Sequence, residues 1–300
     1  MARAALSKSE LILNPDGSIY HLHLRPEQIA PCIITVGDPD RVAAVSRHFD
    51  RVDERIQKRE FVTHTGEYQG QRMSVVSTGI GPDNIDIVFN EIDALFNIDL
   101  KSREIKTNHT ALEFIRIGTS GSLQASLEVD AFLFSSAGIG LDNLLHFYAR
   151  PTGFEGEELA QKFGAFLKQK NLFQPPVYAT PCGEKLLQRL GTGFRSGITL
   201  TAPGFYGPQG RHLRLPGPLT DTFLDAVATF GFDGEKITNF EMETAAIYGL
   251  AALLGHEALS CNAILANRIN GTFSQKPKQT IDLLIQTVLD RLVTKPNNPK

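Results

Sequence analysis

Apolar residues fall along the chain in short unbroken runs that alternate with longer, helically spaced stretches. Cys32–Val36 is closed by Gly37-Asp38-Pro39-Asp40, so it reads as a buried strand, with Arg41–Val45 opening a helix. Met73–Ser77 repeats the scheme: a strand, a turn at Gly79-Ile80-Gly81, then a helix with Ile85, Val88, Ile92 and Leu95 on one face. Phe114–Ile117 predicts a further strand that ends in a Gly/Ser/Thr turn over 118–122, with Thr119 starting it. VDAFLFSSAGI, GFRSGITLTAPGF and HEALSCNAILANRI read as strands, NFEMETAAIYGLAALLG as a helix, and TIDLLIQTVLDRLV as an amphipathic closing helix. This alternation predicts an α/β fold around a largely buried, mixed sheet. No internal repeat or compositional break appears, so a single domain over residues 1–300 is expected. Residues 1–18 form an extension and 295–300 a polar tail that should fray. The polar stretch Lys101–Thr110 is a surface excursion.

Composition narrows the partners. The chain is 42% hydrophobic and 21% charged with a formal net charge of -3, an ordinary soluble mix without the basic excess of a nucleic-acid binder. Cys32, Cys182 and Cys261 are far apart and form no CxxC, which fits a reducing compartment and argues against a disulfide framework or zinc site. The N-terminal MARAALSKSE lacks the apolar core of a signal peptide, and Ala245–Gly255 is too short to cross a bilayer. A cytoplasmic protein with no membrane partner is expected.

The generic motifs fail. A dinucleotide fingerprint starting at Gly79-Ile80-Gly81 would need its third glycine at Asn84, and GTSGS at 118–122 ends in Ser122 where a nucleophile elbow needs glycine. His21 and His23 could face one side of a strand as metal ligands, but no partner set accompanies them, so no metal is expected.

What remains is a set of polar residues at strand ends, where open α/β sheets bind ligands. Arg41 follows the Gly37 turn. Arg116 sits inside an apolar strand, on the same side as Gly118 and just before Thr119. Two arginines, a glycine amide and a threonine hydroxyl make a plausible oxyanion cradle. The alternative places Arg41 on a surface helix and pairs Arg116 in the core. Glu241 and Glu243 bracket Met242 at the entry to a very apolar helix. Carboxylates there suit the helix dipole, and one of them could instead grip vicinal hydroxyls. Asn267-Arg268 ends another strand. FYGPQGR at 205–211 displays Gln209 and Arg211 beside Phe205 on a Gly-Pro turn.

Taken together, GDPDRV (37–42), REF (59–61), STGIG (77–81), RIGTSG (116–121), FYGPQGR (205–211) and NFEMET (239–244) resemble the nucleoside phosphorylase family, its uridine phosphorylase branch most closely. The resemblance runs from about His21 to the last helix. It implies a phosphorylase/hydrolase-like α/β fold with a twisted, partly closed mixed sheet flanked by helices. It implies reversible phosphorolysis of uridine, deoxyuridine or thymidine, with inorganic phosphate as co-substrate and no cofactor. Phosphate would be held by Gly37, Arg41, Arg116 and Thr119, with Arg59 from a neighbouring subunit. Ribose would be held by Met242 and Glu243, with His21 of the neighbour on the 5′-hydroxyl. Phe205, Gln209 and Arg211 would form the base pocket, supported by Glu241 and Arg268. Arg41, Arg116, Glu243 and Arg211 would carry catalysis. The shared site implies a homodimer or a hexamer built as a trimer of dimers.

Purine enzymes of this fold usually carry Ser-Asp where this chain has Asn267-Arg268, so uridine is favoured over a purine or broad-specificity phosphorylase. The three arginines argue against a nucleosidase, and the full residue set argues against a non-catalytic binder. The chain departs from the family in its GPDN at 81–84, which lacks the serine that helps hold an interface cation beside a glutamate such as Glu60. It also has PQGR in its base loop and an apparent insertion at Lys101–Thr110. Leu141–Tyr148 is a candidate pocket wall.

Overall fold

A computed structural model describes residues 5–294. The expected tail at 295–300 and the first four residues of the extension lie outside the described residues. In chain order the strands are β1 (Cys32–Val36), β2 (Arg51–Lys58), β3 (Phe61–Tyr68), β4 (Gln71–Ser77), β5 (Ile98–Asp99), β6 (Glu104–Ile105) and β7 (Glu113–Ser122). They continue with β8 (Phe132–Gly140), β9 (Tyr178–Pro181), β10 (Arg195–Thr201), β11 (Gly231–Phe232), β12 (Glu235–Glu241), β13 (Glu257–Asn267) and β14 (Thr272–Phe273). The helices are α1 (Pro39–Ser46), α2 (Pro82–Asn97), α3 (Glu157–Gln169), α4 (Glu184–Leu190), α5 (Asp221–Val227), α6 (Thr244–Leu254) and α7 (Pro277–Val293).

All strands but β5 and β6 join one mixed sheet, whose main path runs β11-β12-β10-β8-β13-β7-β1-β4-β3-β2. β12 also pairs antiparallel with β7, Asn239 opposite Ser122 and Phe240 opposite Gly121. That pairing closes β7, β13, β8, β10 and β12 into a ring, and β1 to β4 extend from it as a wing. The partly closed mixed sheet expected from the resemblance is therefore present.

Strand alternation sorts the core into layers. Ile33 and Phe114 face a cluster with Ile85, Val88, Ile92 and Leu95 of α2 and Ala246 and Leu250 of α6. Ile34, Ile115 and Ile117 face the opposite cluster, with Val42 and Val45 of α1, Leu186 of α4 and Leu284 and Val288 of α7. Helices α3 and α5 pack Phe163 and Phe223 over β8 and β10. Arg116 thus belongs to the side of β7 covered by α2 and α6.

Two sequence expectations change. Residues 118–122 are strand, not turn: β7 pairs with β13 as far as Ser122 and with β12 at Gly121 and Ser122. Small residues are needed there because three strands converge where the ring closes. Asn239–Glu241 is the end of β12, and the helix begins only at Thr244. Gly138 lets α6 seat this closely: a Cβ there would lie 2.7 Å from the Ala245 Cα. The sequence reading also passed over β2, whose exposed and half-buried residues alternate along a charged edge strand without an apolar run. Lys101–Thr110 is largely exposed and carries β6, which pairs antiparallel with β5 just before it. Among the described residues, no helix is long and apolar enough to cross a membrane.

Candidate active site

One cavity of about 810 Å³ opens where β1, β7, β12 and β13 end. Gly37, Arg41, Arg116, Thr119, Phe205, Gln209, Arg211, Glu241, Met242 and Glu243 all line it. The sequence thus named ten residues, from four separate segments, that the fold brings to one place. Arg268 adjoins the cavity through the Gln209 carbonyl, to which its Nη1 donates at 2.7 Å. His21 and Arg59 do not line it. Nor does Leu141–Tyr148: Leu141 lines a separate apolar groove, and Tyr148 bonds Asp86 and Asn90.

The first wall is set by β1 and α1. Asp38 caps α1, accepting the Asp40 N–H at 3.0 Å, and Pro39 occupies its first turn, so Arg41 is fixed on that turn facing the cavity. Arg41 donates to the Ile117 carbonyl at 3.4 Å. Burial holds its pKa below the ordinary arginine value, with the nearby Arg116 charge acting the same way.

Arg116 is 6% exposed. Its Nη2 donates to Glu243 Oε2 at 2.6 Å and lies 3.2 Å from Glu241 Oε2, while Nη1 donates to Asn262 Oδ1 at 3.0 Å. Both readings of this residue hold at once: it is paired in the core and it lines the cavity. The guanidinium folds back over its own strand, so a Cβ on Gly118 would sit 1.6 Å from Nη1. The Arg-x-Gly spacing is therefore a packing requirement. Gly118→Ala should displace the guanidinium and cut turnover by about 10–100-fold, with α/β content unchanged by circular dichroism. Wild-type turnover in that variant would contradict this geometry.

The two glutamates differ. Glu241 takes the N–H groups of Glu243 (2.9 Å) and Thr244 (3.0 Å) at the start of α6, and the Thr201 hydroxyl at 2.7 Å. Its carboxylate is thereby consumed by the fold, as a helix cap and a counter-ion. Glu243 accepts Arg116 at Oε2 and the Gly81 N–H at Oε1, 2.9 Å away. Gly81, at φ 100, begins α2, and few side chains tolerate that backbone conformation. The Glu243 carboxylate thus lies across the start of a second helix with unused lone pairs. Burial raises its pKa, against the lowering pull of Arg116 and with repulsion from Glu241.

The loop after β10 builds the third wall. Gln209 is 2% exposed. Its Oε1 accepts from Arg211 Nη1 at 2.6 Å, and the same nitrogen reaches the Phe205 carbonyl at 2.9 Å. The Arg211 guanidinium lies 4.0 Å over the Phe205 ring. The charged donor fixes the amide orientation, leaving the Gln209 NH₂ and the rest of the guanidinium as donors. At the end of β13, Asn267 gives its amide to the Gln124 and Leu127 carbonyls, both at 2.9 Å, and accepts the N–H of Ile269 and of Asn270. It holds loops, and Arg268 beside it holds Gln209. Burial lowers the Arg268 pKa to about 10, with Arg211 repulsion adding to it.

His21 and Arg59 are displayed elsewhere. Glu91 accepts the His21 backbone N–H at 2.9 Å and lies 2.6 Å from its Nδ1, which fixes the ring. His23 pairs instead with Asp16, so the two histidines do not share a partner. Arg59 is exposed at φ 58 on the β2–β3 hairpin, next to Glu60, which does line the cavity. The sequence reading had not singled out Asn262, and met Asn84 only as a departure from glycine motifs. Asn262 orients Arg116, and Asn84 lines the cavity against Gly79. Asn262 lies inside the apolar β13, where a buried amide is the available signal.

The chain is similar to several nucleoside phosphorylases. A uridine phosphorylase of Thermococcus kodakarensis is 29% identical over 87% of this chain and 81% of its own. A DeoD-type purine nucleoside phosphorylase of Bacillus thuringiensis is 27% identical over 91% of this chain and 98% of its own. The crystal structure of a Trypanosoma brucei nucleoside phosphorylase, described as showing uridine phosphorylase activity, superposes with a TM-score of 0.82. That protein is 28% identical, and the match covers 94% of this chain and 99% of its own. The sequence profile of the Phosphorylase superfamily matches residues 31–293, and with the cavity at the ends of those strands it makes this chain a member of that superfamily.

Proposed function

We propose that the protein is a uridine phosphorylase, converting uridine and phosphate to uracil and ribose 1-phosphate. The observation that carries this reading is the pairing of the buried Gln209 amide with Arg211 against Phe205, in the same cavity as Arg41, Arg116 and Thr119. An amide plus a guanidinium suits a ring edge made of carbonyls and an N–H. The opposite requirement, a carboxylic acid to protonate a purine nitrogen, is not met at Asn267-Arg268, where the Asn267 amide is committed to loops and Arg268 donates to the Gln209 carbonyl.

The chemistry follows from charge. As the C1′–N1 bond breaks, C1′ becomes cationic and the base departs with its electrons. A phosphate oxygen then bonds C1′. Arg41, Arg116, Thr119 and the Gly37 backbone orient that phosphate and offset its charge. Glu243 holds the 2′- and 3′-hydroxyls with its free lone pairs and favours the cationic sugar, while Met242 packs beneath it. Arg211 meets the negative charge that spreads onto the uracil carbonyls. Phe205 supplies the apolar wall, and Glu241 and Arg268 hold the frame. No covalent nucleophile or cofactor enters these steps. With equal uridine and inosine and excess phosphate, uracil should appear at least about 10-fold faster than hypoxanthine. Preferential release of hypoxanthine would replace this reading with the purine one.

Arg59 and His21 complete the site from a second copy, in a dimer or a larger ring of dimers. Mixing Arg59→Ala with Arg116→Lys after reversible dissociation tests this. Random reassortment gives mixed dimers with one intact site, restoring about a quarter of wild-type activity. A mixture no more active than its components would show that Arg59 works within its own chain or not at all.

A further inference from the structure

Polar side chains from every strand of the ring join in one circuit of hydrogen bonds. Arg116 Nη1 on β7 donates to Asn262 Oδ1 on β13 at 3.0 Å. Asn262 Nδ2 donates to Ser135 Oγ on β8 at 3.3 Å and to Ser260 Oγ at 3.2 Å. Ser135 Oγ lies 2.6 Å from Thr199 Oγ1 on β10, which donates to Asn239 Oδ1 on β12 at 2.7 Å. Asn239 Nδ2 returns the circuit to β7, donating to Ser120 Oγ at 2.9 Å. Asn262, Ser135, Thr199 and Asn239 are fully buried, and Ser120 lines the candidate cavity.

The sense of this circuit is fixed at its start. A guanidinium only donates, so Asn262 turns its oxygen to Arg116 and its NH₂ to Ser135. A hydroxyl has one proton. Ser135, accepting from Asn262, donates to Thr199, and Thr199 donates onward to Asn239. Turning the Asn239 amide over would leave the buried Thr199 proton without an acceptor, which is costly. Thr238 donates to the same Asn239 oxygen at 3.0 Å and holds the same orientation. Ser120 therefore accepts from Asn239, and its own proton has no acceptor among the described residues. The guanidinium of Arg116 lies over Gly118, and a Cβ on Gly121 would lie 3.6 Å from Arg268 Cγ. Ser120 thus stands between the group that holds Glu243 and the group that holds Gln209.

We propose that Asn262, Ser135, Thr199 and Asn239 are positioning residues, which carry the orienting effect of the Arg116 charge around the ring and hold the Ser120 hydroxyl as a donor to the nucleoside. The inference rests on the proposed phosphorolysis. At the junction of sugar and base, a donor serves the reaction by meeting the negative charge that reaches the departing base. Thr199, which lies outside the cavity, then acts only through Ser120, and a double-mutant cycle on uridine phosphorolysis tests this. Ser120→Ala should lower kcat by about 10-fold or more and Thr199→Val by about 5–10-fold, each with the phosphate KM within about twofold of wild type. Thr199→Ser, which keeps the hydroxyl, should restore activity. The double variant should be no slower than Ser120→Ala alone, within about twofold, whereas a merely structural role would multiply the two losses. Thr199→Ala carries the cycle if Thr199→Val does not fold. Wild-type protein that fails to cleave uridine removes the phosphorylase reading and this inference with it. Active wild-type protein with multiplied losses, or with full turnover in folded Thr199→Val, overturns the relay alone.

Discussion

Replacing Arg116 by lysine should lower turnover by roughly 10²–10³-fold while uridine affinity stays within about threefold. Lysine keeps the charge that Glu241 and Glu243 need but loses the planar fork that bonds Glu243 and Asn262 in fixed directions. Phosphate is then held by a point charge of uncertain direction, and the loss falls on the step in which phosphate attacks. Alanine is a poorer probe. It would strand two buried carboxylates at a cost of about 3–5 kcal/mol, so lost activity would be confounded with lost structure. Steady-state kinetics at saturating phosphate, with direct uridine titration, separates the two effects. A variant that keeps full turnover would remove Arg116 from the phosphate site.

The second large effect distinguishes two glutamates that sit two residues apart. Glu241→Gln should cost roughly 2–4 kcal/mol of stability, read from the urea midpoint. A single amide oxygen cannot replace a carboxylate that takes two helix N–H groups, the Thr201 hydroxyl and Arg116. Glu243→Gln should cost less than this, roughly 1–2 kcal/mol, because its amide oxygen can keep one of two accepted bonds while Glu241 still neutralises Arg116. Its turnover should fall by about 10²–10³-fold through loss of the charge facing the sugar. Equal stability losses in the two variants would contradict this division.

Legibility from sequence followed the physics of each segment. Buried strands such as Cys32–Val36 were readable because both faces are covered and only Thr35 interrupts the apolar run. The edge strand β2 was not, because it is half exposed and charged. At 239–244 the apolar helix hid the strand end before it, and only the ring closure fixes where β12 stops. The cavity-lining residues drew notice in combination because Arg41, Arg116 and Glu243 sit where apolar segments end or break, and Gln209 and Arg211 stand on a Gly-Pro loop. What could not be read was how they divide the work. That Glu241 caps α6, that Arg268 holds the Gln209 carbonyl and that Asn267 ties loops together are statements about hydrogen bonds between distant segments. Gly118 is a middle case: Arg-x-Gly was visible, and its reason emerged only with the guanidinium lying over it.

The central claim is phosphorolysis of a pyrimidine nucleoside in this cavity. Its most direct measurement is uracil release from uridine by the purified protein, with and without inorganic phosphate, assaying ribose 1-phosphate in the same samples. The account predicts equal amounts of uracil and ribose 1-phosphate when phosphate is present and essentially no cleavage without it. Uracil released at the same rate without phosphate, accompanied by free ribose, would contradict it.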